Sequence, residues 1–392
     1  MNHIEPMLSN GQLDYLAFQK QFDDAIHAVL KGDQHILGDA VTAFEKEFAA
    51  FCEVKHSVAV TSGTSSLIIA LLAADIGPGD EVLGVANADL SISLAVLHVG
   101  ATLKWVDIDE NTMNMDPHQL QDLLTPKTRA VIIAHMHGLP ADMDALFQVL
   151  ADHKNVLIIE DASLAVGATY KGKRVGSIGD VGCMSLSSGK ILSVFGSGGA
   201  LTTQNDELYR KIQQVRHYGR WDSPYEDNTF ADYFEPSRRM VRRGLNERMD
   251  TIQAAIGRIQ LQQLDNQLRK RRAVAGLYRE ILADVPVYPQ PIPSDTTHSY
   301  RSFVFRVDPK IRDDLVKKLR TKGIRAGGAY ILPDHLHPFF DATNISLPGT
   351  EAAHHSMIAL PCGPHLAPDD VWKTATITRK TIKQFGLRNG MN

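Results

Sequence analysis

The sequence predicts an α/β fold, in which a large unit built on a mostly parallel sheet between helices precedes a smaller α+β unit. Three observations predict it. At 392 residues the chain exceeds the length at which a single hydrophobic core usually stops growing, so two units are expected. Short β-rich runs alternate with helical stretches through the first half, and such alternation requires crossover connections and a sheet covered on both faces. One long helical pattern then closes the alternation and leads into a different arrangement of strands and helices. The expected division is residues 1–255, including the N-terminal helices, and residues 256–392.

The elements follow in order. Phe18, Phe22, Ile26 and Leu30 stand four residues apart, which is one face of an amphipathic helix over 15–30. A second helix is predicted over 40–51. Strands are expected at 56–60, 81–85, 103–106, 130–134, 156–159 and 181–186, with helices at 65–74, 91–99 and 142–152 between them. From Met249 to about Leu282 the apolar positions Ile252, Ala255, Ile256, Ile259, Leu261 and Leu264 mark a helix linking the two units. Pro286, Pro289, Pro291 and Pro293 mark the connection after it. Beyond these lie a strand at 302–307 and helices at 311–322 and 372–385.

Composition narrows the function classes. Hydrophobic residues make up 44% and charged residues 22%, as in ordinary globular enzymes. A net charge of −4 supplies no basic field for a polyanion, so nucleic acid is not an expected partner. The longest apolar runs fall far short of the roughly 20 residues of a membrane helix. Met1–Asn10 lacks a signal-peptide core, so a cytoplasmic protein is expected. Cys52, Cys183 and Cys362 are scattered and predict buried thiols rather than disulfides or a zinc site.

Three places in the first unit carry candidate chemistry. Strand 56–60 runs into Thr61-Ser62-Gly63-Thr64-Ser65-Ser66 and a helix, and backbone N–H groups at such a start bind phosphate; an ordinary helix cap is the bland alternative. Glu160-Asp161 follow an apolar strand at the end where open α/β sheets bind ligands, and a carboxylate there suits a protonated ring nitrogen; capping of the next turn is equally compatible. Strand 181–186 leads to Ser187-Ser188-Gly189-Lys190, whose apolar neighbours Ile191, Leu192, Val194 and Phe195 favour a desolvated, reactive amine. The glycines of Gly196-Ser197-Gly198-Gly199 are expected to let backbone pass close to a ligand. His135 and His137 alternate near a strand end but lack a third metal ligand at suitable spacing.

With these sites stand Gly77-Pro78-Gly79-Asp80-Glu81-Val82, Val106-Asp107-Ile108-Asp109, His135-Met136-His137-Gly138, Glu160-Asp161-Ala162, Ser185 through Lys190, and Gly244-Leu245-Asn246-Glu247-Arg248-Met249. In these motifs, and over nearly its whole length, the chain resembles the DegT/DnrJ/EryC1/StrS family of fold-type I sugar aminotransferases that depend on pyridoxal 5'-phosphate. The resemblance implies a seven-stranded sheet and a homodimer sharing its active sites. It implies that Lys190 is the Schiff-base lysine and Asp161 the partner of the pyridine nitrogen. Gly63, Thr64, Ser65 and Ser185 correspond to the phosphate cradle, and Asn246, with Arg248 nearby, to the residues that reach the other subunit's cofactor phosphate. Asp89 falls where the family places an aromatic ring over the cofactor, and Leu164 where it places a Gln or His near the ring hydroxyl.

Substrate contacts are expected from the basic run Arg238-Arg239-Met240-Val241-Arg242-Arg243, with Arg243 and Arg248 the candidates, and from Tyr330, His335 and His337 in the smaller unit. The implied reaction passes an amino group from glutamate or glutamine to a keto or aldehyde sugar by a ping-pong route, for surface-polysaccharide or lipopolysaccharide synthesis. The specific product expected is 8-amino-3,8-dideoxy-manno-octulosonate, the alternative acceptor a nucleotide-linked 4-keto-6-deoxy sugar. A catalytically silent sensor on the same fold is the alternative of another class.

Overall fold

A computed structural model gives the structure of the chain and describes residues 10–32, 34–220, 240–328 and 332–389. Helices α1 (Asn10–Lys31) and α2 (Asp39–Cys52) precede strand β1 (His56–Val60) and helix α3 (Gly63–Ala73). Strands and helices then alternate: β2 (Glu81–Val85), α4 (Ser91–Val99), β3 (Thr102–Val106), α5 (Pro117–Leu123), β4 (Thr128–Ala134), α6 (Met143–Leu150) and β5 (Leu157–Asp161). The short strands β6 (Thr169–Tyr170) and β7 (Lys173–Arg174) lead to β8 (Val181–Ser185), β9 (Gly199–Thr203) and α7 (Asp206–Arg216). The long α8 (Thr251–Ile281) is followed by β10 (Tyr288–Pro289), β11 (Thr296–Thr297), β12 (Phe303–Arg306), α9 (Pro309–Thr321), α10 (Pro348–Ser356), β13 (Met357–Leu360) and α11 (Pro368–Asn389).

The main sheet has seven strands in the order β1-β9-β8-β5-β4-β2-β3. Only β9 runs against its neighbours, pairing antiparallel with both β1 and β8. The strands are apolar because both faces are covered: Val131, Ile132 and Ile133 of β4 are fully buried. Strand β3 forms one edge, where Lys104 pairs with Glu81 at 2.8 Å. Strand β1 forms the other, and its outward backbone is satisfied by a buried ion pair. Glu45 accepts the Ala59 N–H at 2.7 Å, and Arg216 donates to the Ala59 carbonyl at 3.0 Å and to Glu45 at 2.5 Å. The outward N–H and carbonyl of Ala59 are thereby satisfied, and Val60 beyond it forms an antiparallel bridge with Arg248.

The core changes hands along α8. Ala254, Leu264 and Leu268 pack with α2 and the lysine-bearing loop, whereas Val274, Ala275 and Tyr278 pack with Phe303, Phe305, Leu315, Leu319, Ile358 and Leu360. The second group surrounds the antiparallel sheet β10-β12-β13. Among the described residues, no helix is long and apolar enough to cross a membrane. Cys52, Cys183 and Cys362 are buried free thiols, and burial pushes Cys52 and Cys362 up to about 12.

Strand β5 runs to Asp161, two residues beyond the expected 156–159, and ends in the two acids as the sequence suggests. Because alternate strand residues face opposite sides, the two acids lie on opposite faces of the sheet. The glycines at 198 and 199 let the chain pack closely against its own neighbours. A Cβ on Gly199 would lie 2.5 Å from the Ser62 carbonyl carbon, and one on Gly198 would lie 2.5 Å from Val194 Cγ2.

Candidate active site

The carboxyl ends of β1, β4, β5 and β8 converge on a cavity of about 230 Å³. Its lining includes Ser62, Gly63, Thr64, Asp89, His135, Asp161, Leu164, Ser185 and Lys190, so most of the expected site residues meet in one place. Helix α3 starts at this cavity. Ser62 caps it by accepting the Ser65 N–H at 3.0 Å, and the N–H groups of Gly63 and Thr64 belong to a first turn that has no intrahelical acceptors. The helix can start this close to β8 only because residue 63 is glycine: a Cβ there would fall 2.6 Å from Ser185 Cβ.

Lys190 sits in a tight turn, donating its N–H to the Ser187 carbonyl at 3.0 Å, with Gly189 at a left-handed φ of 88°. Its neighbours Ile191, Leu192 and Val194 are buried and hold the turn to the core, leaving the lysine half-buried. Burial pushes the amine below the ordinary lysine range; the charges of Asp161 and Asp89 pull it back up, and Arg301 pushes it down. Asp161 is buried, and its Oδ1 accepts the Ser163 N–H at 3.0 Å, which fixes the carboxylate. Ser163 Oγ in turn accepts the Ser185 N–H at 2.8 Å.

Glu160 turns the other way. Its Oε1 accepts from the N–H groups of Ile178 and Gly179, both at 2.7 Å, and its Oε2 from Gly176 N–H at 2.8 Å and His135 Nε2 at 2.9 Å. His135 Nδ1 accepts the Ala141 N–H at 3.0 Å, so the ring proton sits on Nε2. His135 thus serves as a strut between strand ends rather than as half of a metal pair. His137 adopts a left-handed φ of 59° and is pushed down to about 4, first by burial and then by Arg301.

Several expected residues lie elsewhere. The Ser65 hydroxyl donates to Glu247 at 2.6 Å and its N–H to Ser62 Oγ at 3.0 Å, and Ser65 is not among the described lining residues of the cavity, which Gly63 and Thr64 are. Thr61 also donates to Glu247. In an extended segment neighbouring side chains face opposite ways. With the Glu247 carboxylate on Thr61 and Ser65, Asn246 and Arg248 stand on the other side of the segment, and neither is among the described lining residues of the cavity. Asn246 is exposed, and Arg248 rests on the Tyr218 ring at 5.1 Å and on His217 Nδ1 at 3.2 Å. Arg243 is exposed and His335 is buried against Glu351 at 3.4 Å, so neither lines the cavity. His337 is bonded to the Leu332 carbonyl at 3.1 Å. Tyr330, Arg238 and Arg239 lie outside the described residues. No phenylalanine, tyrosine or tryptophan is among the described lining residues, so Asp89 has no aromatic substitute there.

Sequence reasoning assigned two residues no role of their own. Glu247 was hidden beside Asn246 in the same motif. Arg301 stands in the segment that crosses Gly138, where nothing local marks it.

An amine pushed below its ordinary range, a buried carboxylate and a helix start share one α/β cavity, an arrangement suited to a phosphorylated cofactor that reacts with an amine. The chain belongs to the DegT/DnrJ/EryC1/StrS aminotransferase family, whose profile matches residues 17–378. It is 37% identical over 356 residues, 90% of this chain and 89% of the relative, to the dTDP-3-amino-3,4,6-trideoxy-alpha-D-glucose transaminase of Streptomyces venezuelae. It is 34% identical over 367 residues, 93% of this chain and 96% of the relative, to the dTDP-3-amino-3,6-dideoxy-alpha-D-galactopyranose transaminase of Aneurinibacillus thermoaerophilus. The crystal structure of S. venezuelae DesV in complex with a ketimine intermediate superposes with a TM-score of 0.87 at 35% identity, covering 96% of this chain and 97% of that one. The chain is therefore an aminotransferase with the pyridoxal-phosphate-dependent fold. Its residues fit that cofactor: the unpaired N–H groups of a helix start suit a phosphate, and an acid and an amine share the space beside it.

Proposed function

We propose that this enzyme passes the amino group of glutamate or glutamine to a keto or aldehyde sugar in two half-reactions at one cavity. The observation that carries this reading is Lys190, half-buried with its amine below the ordinary range, in the same cavity as Asp161 and the start of α3. The N–H groups of Gly63 and Thr64, with Ser185, would hold the cofactor phosphate, Asp161 its ring nitrogen and Lys190 its aldehyde carbon, between walls that include Asp89 and Leu164. When bound, pyridoxal phosphate supplies an electron-withdrawing ring that stabilises negative charge at the reacting carbon. Lys190 Nζ accepts the proton lost from the donor's α carbon. In the second half-reaction it gives a proton to the sugar carbon that gains nitrogen. Its depressed pKa keeps a share of the amine neutral and able to do this. Asn246 and Arg248, on the other side of their segment from Glu247, complete the cavity of a second copy, so the active unit is a homodimer.

Two acceptors each have support. The dTDP-sugar names of the relatives favour a nucleotide-linked keto sugar. A cation beside Lys190, Arg301, favours a free sugar acid such as the 8-aldehyde of 3-deoxy-manno-octulosonate, which would give 8-amino-3,8-dideoxy-manno-octulosonate for lipopolysaccharide. The deciding experiment loads the purified protein with pyridoxal phosphate, follows its visible absorbance as glutamate or glutamine is added, then offers each acceptor to the amine form. A band that bleaches with the donor and returns with one acceptor is expected. In Lys190→Ala the rate of donor-driven bleaching should fall roughly a hundredfold to ten-thousandfold. A protein that binds cofactor yet responds to neither donor is a silent sensor, and the proposal fails.

A further inference from the structure

We infer that Asp89 is the counter-charge of the reacting nitrogen of Lys190, holding a proton on that nitrogen while it is bonded to the cofactor aldehyde. The inference rests on the proposed role of Lys190 as the lysine that takes the cofactor. The described lining of the cavity carries two carboxylates, Asp89 and Asp161, and one full cation, Lys190; its His135 is a neutral strut. Asp161 has work of its own, because its Oδ1 accepts the Ser163 N–H and it is the acid proposed for the ring nitrogen. Asp89 has no such task.

The fold leaves the Asp89 carboxylate free for this one. Asp89 is half-buried in the turn between β2 and α4, where an acid commonly caps the helix. Here Leu90 takes the N-cap position and no side chain bonds there, and among the described residues the Asp89 carboxylate has no hydrogen-bond partner. The smaller unit clamps both ends of the turn. The Asp334 N–H donates to the Ala86 carbonyl at 2.8 Å, and the Asp334 carboxylate accepts the Ser93 hydroxyl, which itself accepts Trp105 Nε1 at 3.1 Å. Between them Asn87 Nδ2 donates to the Met113 carbonyl at 2.9 Å. Asp334 is buried, and burial pushes its carboxyl up to about 6; Ser93 and His337 pull it down, and the charge of Asp89 adds to the rise. Two acids this close disfavour each other's charge, and the cation of the described lining that offsets them is Lys190. Of the groups acting on its amine, Asp161 and Asp89 favour the protonated form, whereas burial and Arg301 oppose it. The nitrogen is positive both as the free ammonium and as the protonated imine, so one fixed carboxylate serves both. An aromatic ring, which the family places at this position, offers no full charge.

The test compares the wild type with Asp89→Asn, which keeps the side chain's shape and removes its charge, and with Asp89→Glu, which keeps the charge. Melting temperature and cofactor absorbance establish that each is folded and loaded. The visible band of each holoenzyme is titrated with pH in the absence of substrate. A nearby opposite charge moves a titration by about 1–3 pH units, so the midpoint at which the imine loses its proton should fall by about one unit or more in Asp89→Asn, a tenfold loss of proton affinity, and recover in part in Asp89→Glu. In cofactor-free protein the pH midpoint of pyridoxal phosphate capture should fall in the same variant. Because Asp334 titrates nearby, the Asp89→Asn difference is measured again in an Asp334→Asn background, where it should persist. Equal midpoints in wild type and Asp89→Asn, a higher midpoint in Asp89→Asn, no change of band in either over the pH range in which they stay folded, or loss of the difference in the Asp334→Asn background overturns the inference. Failure of the Lys190 reading would show separately, as a wild type that forms no visible band or as a cofactor bond that survives Lys190→Ala, and would remove the inference with it.

Discussion

Replacing Glu160 with glutamine changes one atom and disturbs four hydrogen bonds. The carboxylate receives two donors on each oxygen: Ile178 and Gly179 N–H on one, Gly176 N–H and His135 Nε2 on the other. An amide offers one acceptor oxygen and one NH2 group. Whichever way it is placed, two donors meet a donor. Moving the His135 proton to Nδ1 gives no relief, because that nitrogen already faces the Ala141 N–H at 3.0 Å. Two buried donors left unsatisfied cost about 1–3 kcal/mol each, so Glu160→Gln should lose about 2–6 kcal/mol. That is a large part of the roughly 5–15 kcal/mol that holds a domain together. Urea unfolding followed by circular dichroism measures it, on cofactor-free protein so that ligand binding does not mask the loss. A change below about 1 kcal/mol at unchanged m would refute the donor count. The pH dependence supplies a second check. Burial pushes the Glu160 carboxyl up, but the hydrogen bond from His135 and the N–H groups of Gly179 and Gly176 bring it below the ordinary carboxylate range. A group whose folded pKa is depressed stabilises fully above its unfolded pKa, near 4.3, and loses that contribution as pH falls through the folded value. The wild type should therefore lose stability in acid through a component that Glu160→Gln lacks.

Three further outcomes follow from the geometry. Gly63→Ala should destabilise the chain by about 1–3 kcal/mol through overpacking against Ser185 and weaken cofactor binding, read by thermal melting and by fluorescence titration with pyridoxal phosphate; unchanged affinity would mean that α3 need not start so close to β8. Arg216→Met leaves the Glu45 carboxylate buried without its cation and should cost about 3–5 kcal/mol in urea unfolding. Because burial holds the Lys190 amine low, the rate of pyridoxal phosphate capture should rise with pH and level off below the ordinary lysine value of about 10.4; stopped-flow absorbance across pH would show a midpoint at or above that value if the amine were not depressed.

What the sequence disclosed depended on how local the cause was. The apolar runs of β4 and β5, the helix start at Gly63 and the lysine turn are each set by neighbours within a few residues, and all were legible. Strand β9 was not, because Gly198-Gly199 reads as a loop; those glycines answer to Ser62 and Val194, contacts that only the fold creates. Ser65 matches the cradle by motif, yet its hydroxyl is claimed by Glu247, 182 positions later. The same distant acid decides which way Asn246 and Arg248 face. Alternation along an extended segment is predictable, but its phase is not until one partner is known.

That phase links stability to the site. The Glu247 N–H donates to the Arg216 carbonyl at 3.1 Å, and Arg216 with Glu45 closes the free edge of β1 at Ala59. Beyond Ala59 the chain turns into α3 through Thr61 and Ser65, whose hydroxyls both end on Glu247. The buried carboxylate of Glu45 therefore grips the strand edge, the half-buried one of Glu247 grips the turn, and Arg216 joins them. An acid beside a phosphate cradle would ordinarily oppose the phosphate. Here the Glu247 charge is occupied by two hydroxyl donors, while Gly63 and Thr64, at the positive end of α3, line the cavity. The arrangement fixes where the helix begins without spending the donors that the anion needs, and it sets Asn246 and Arg248 on the other side of the segment from Glu247, where they are proposed to serve a second copy.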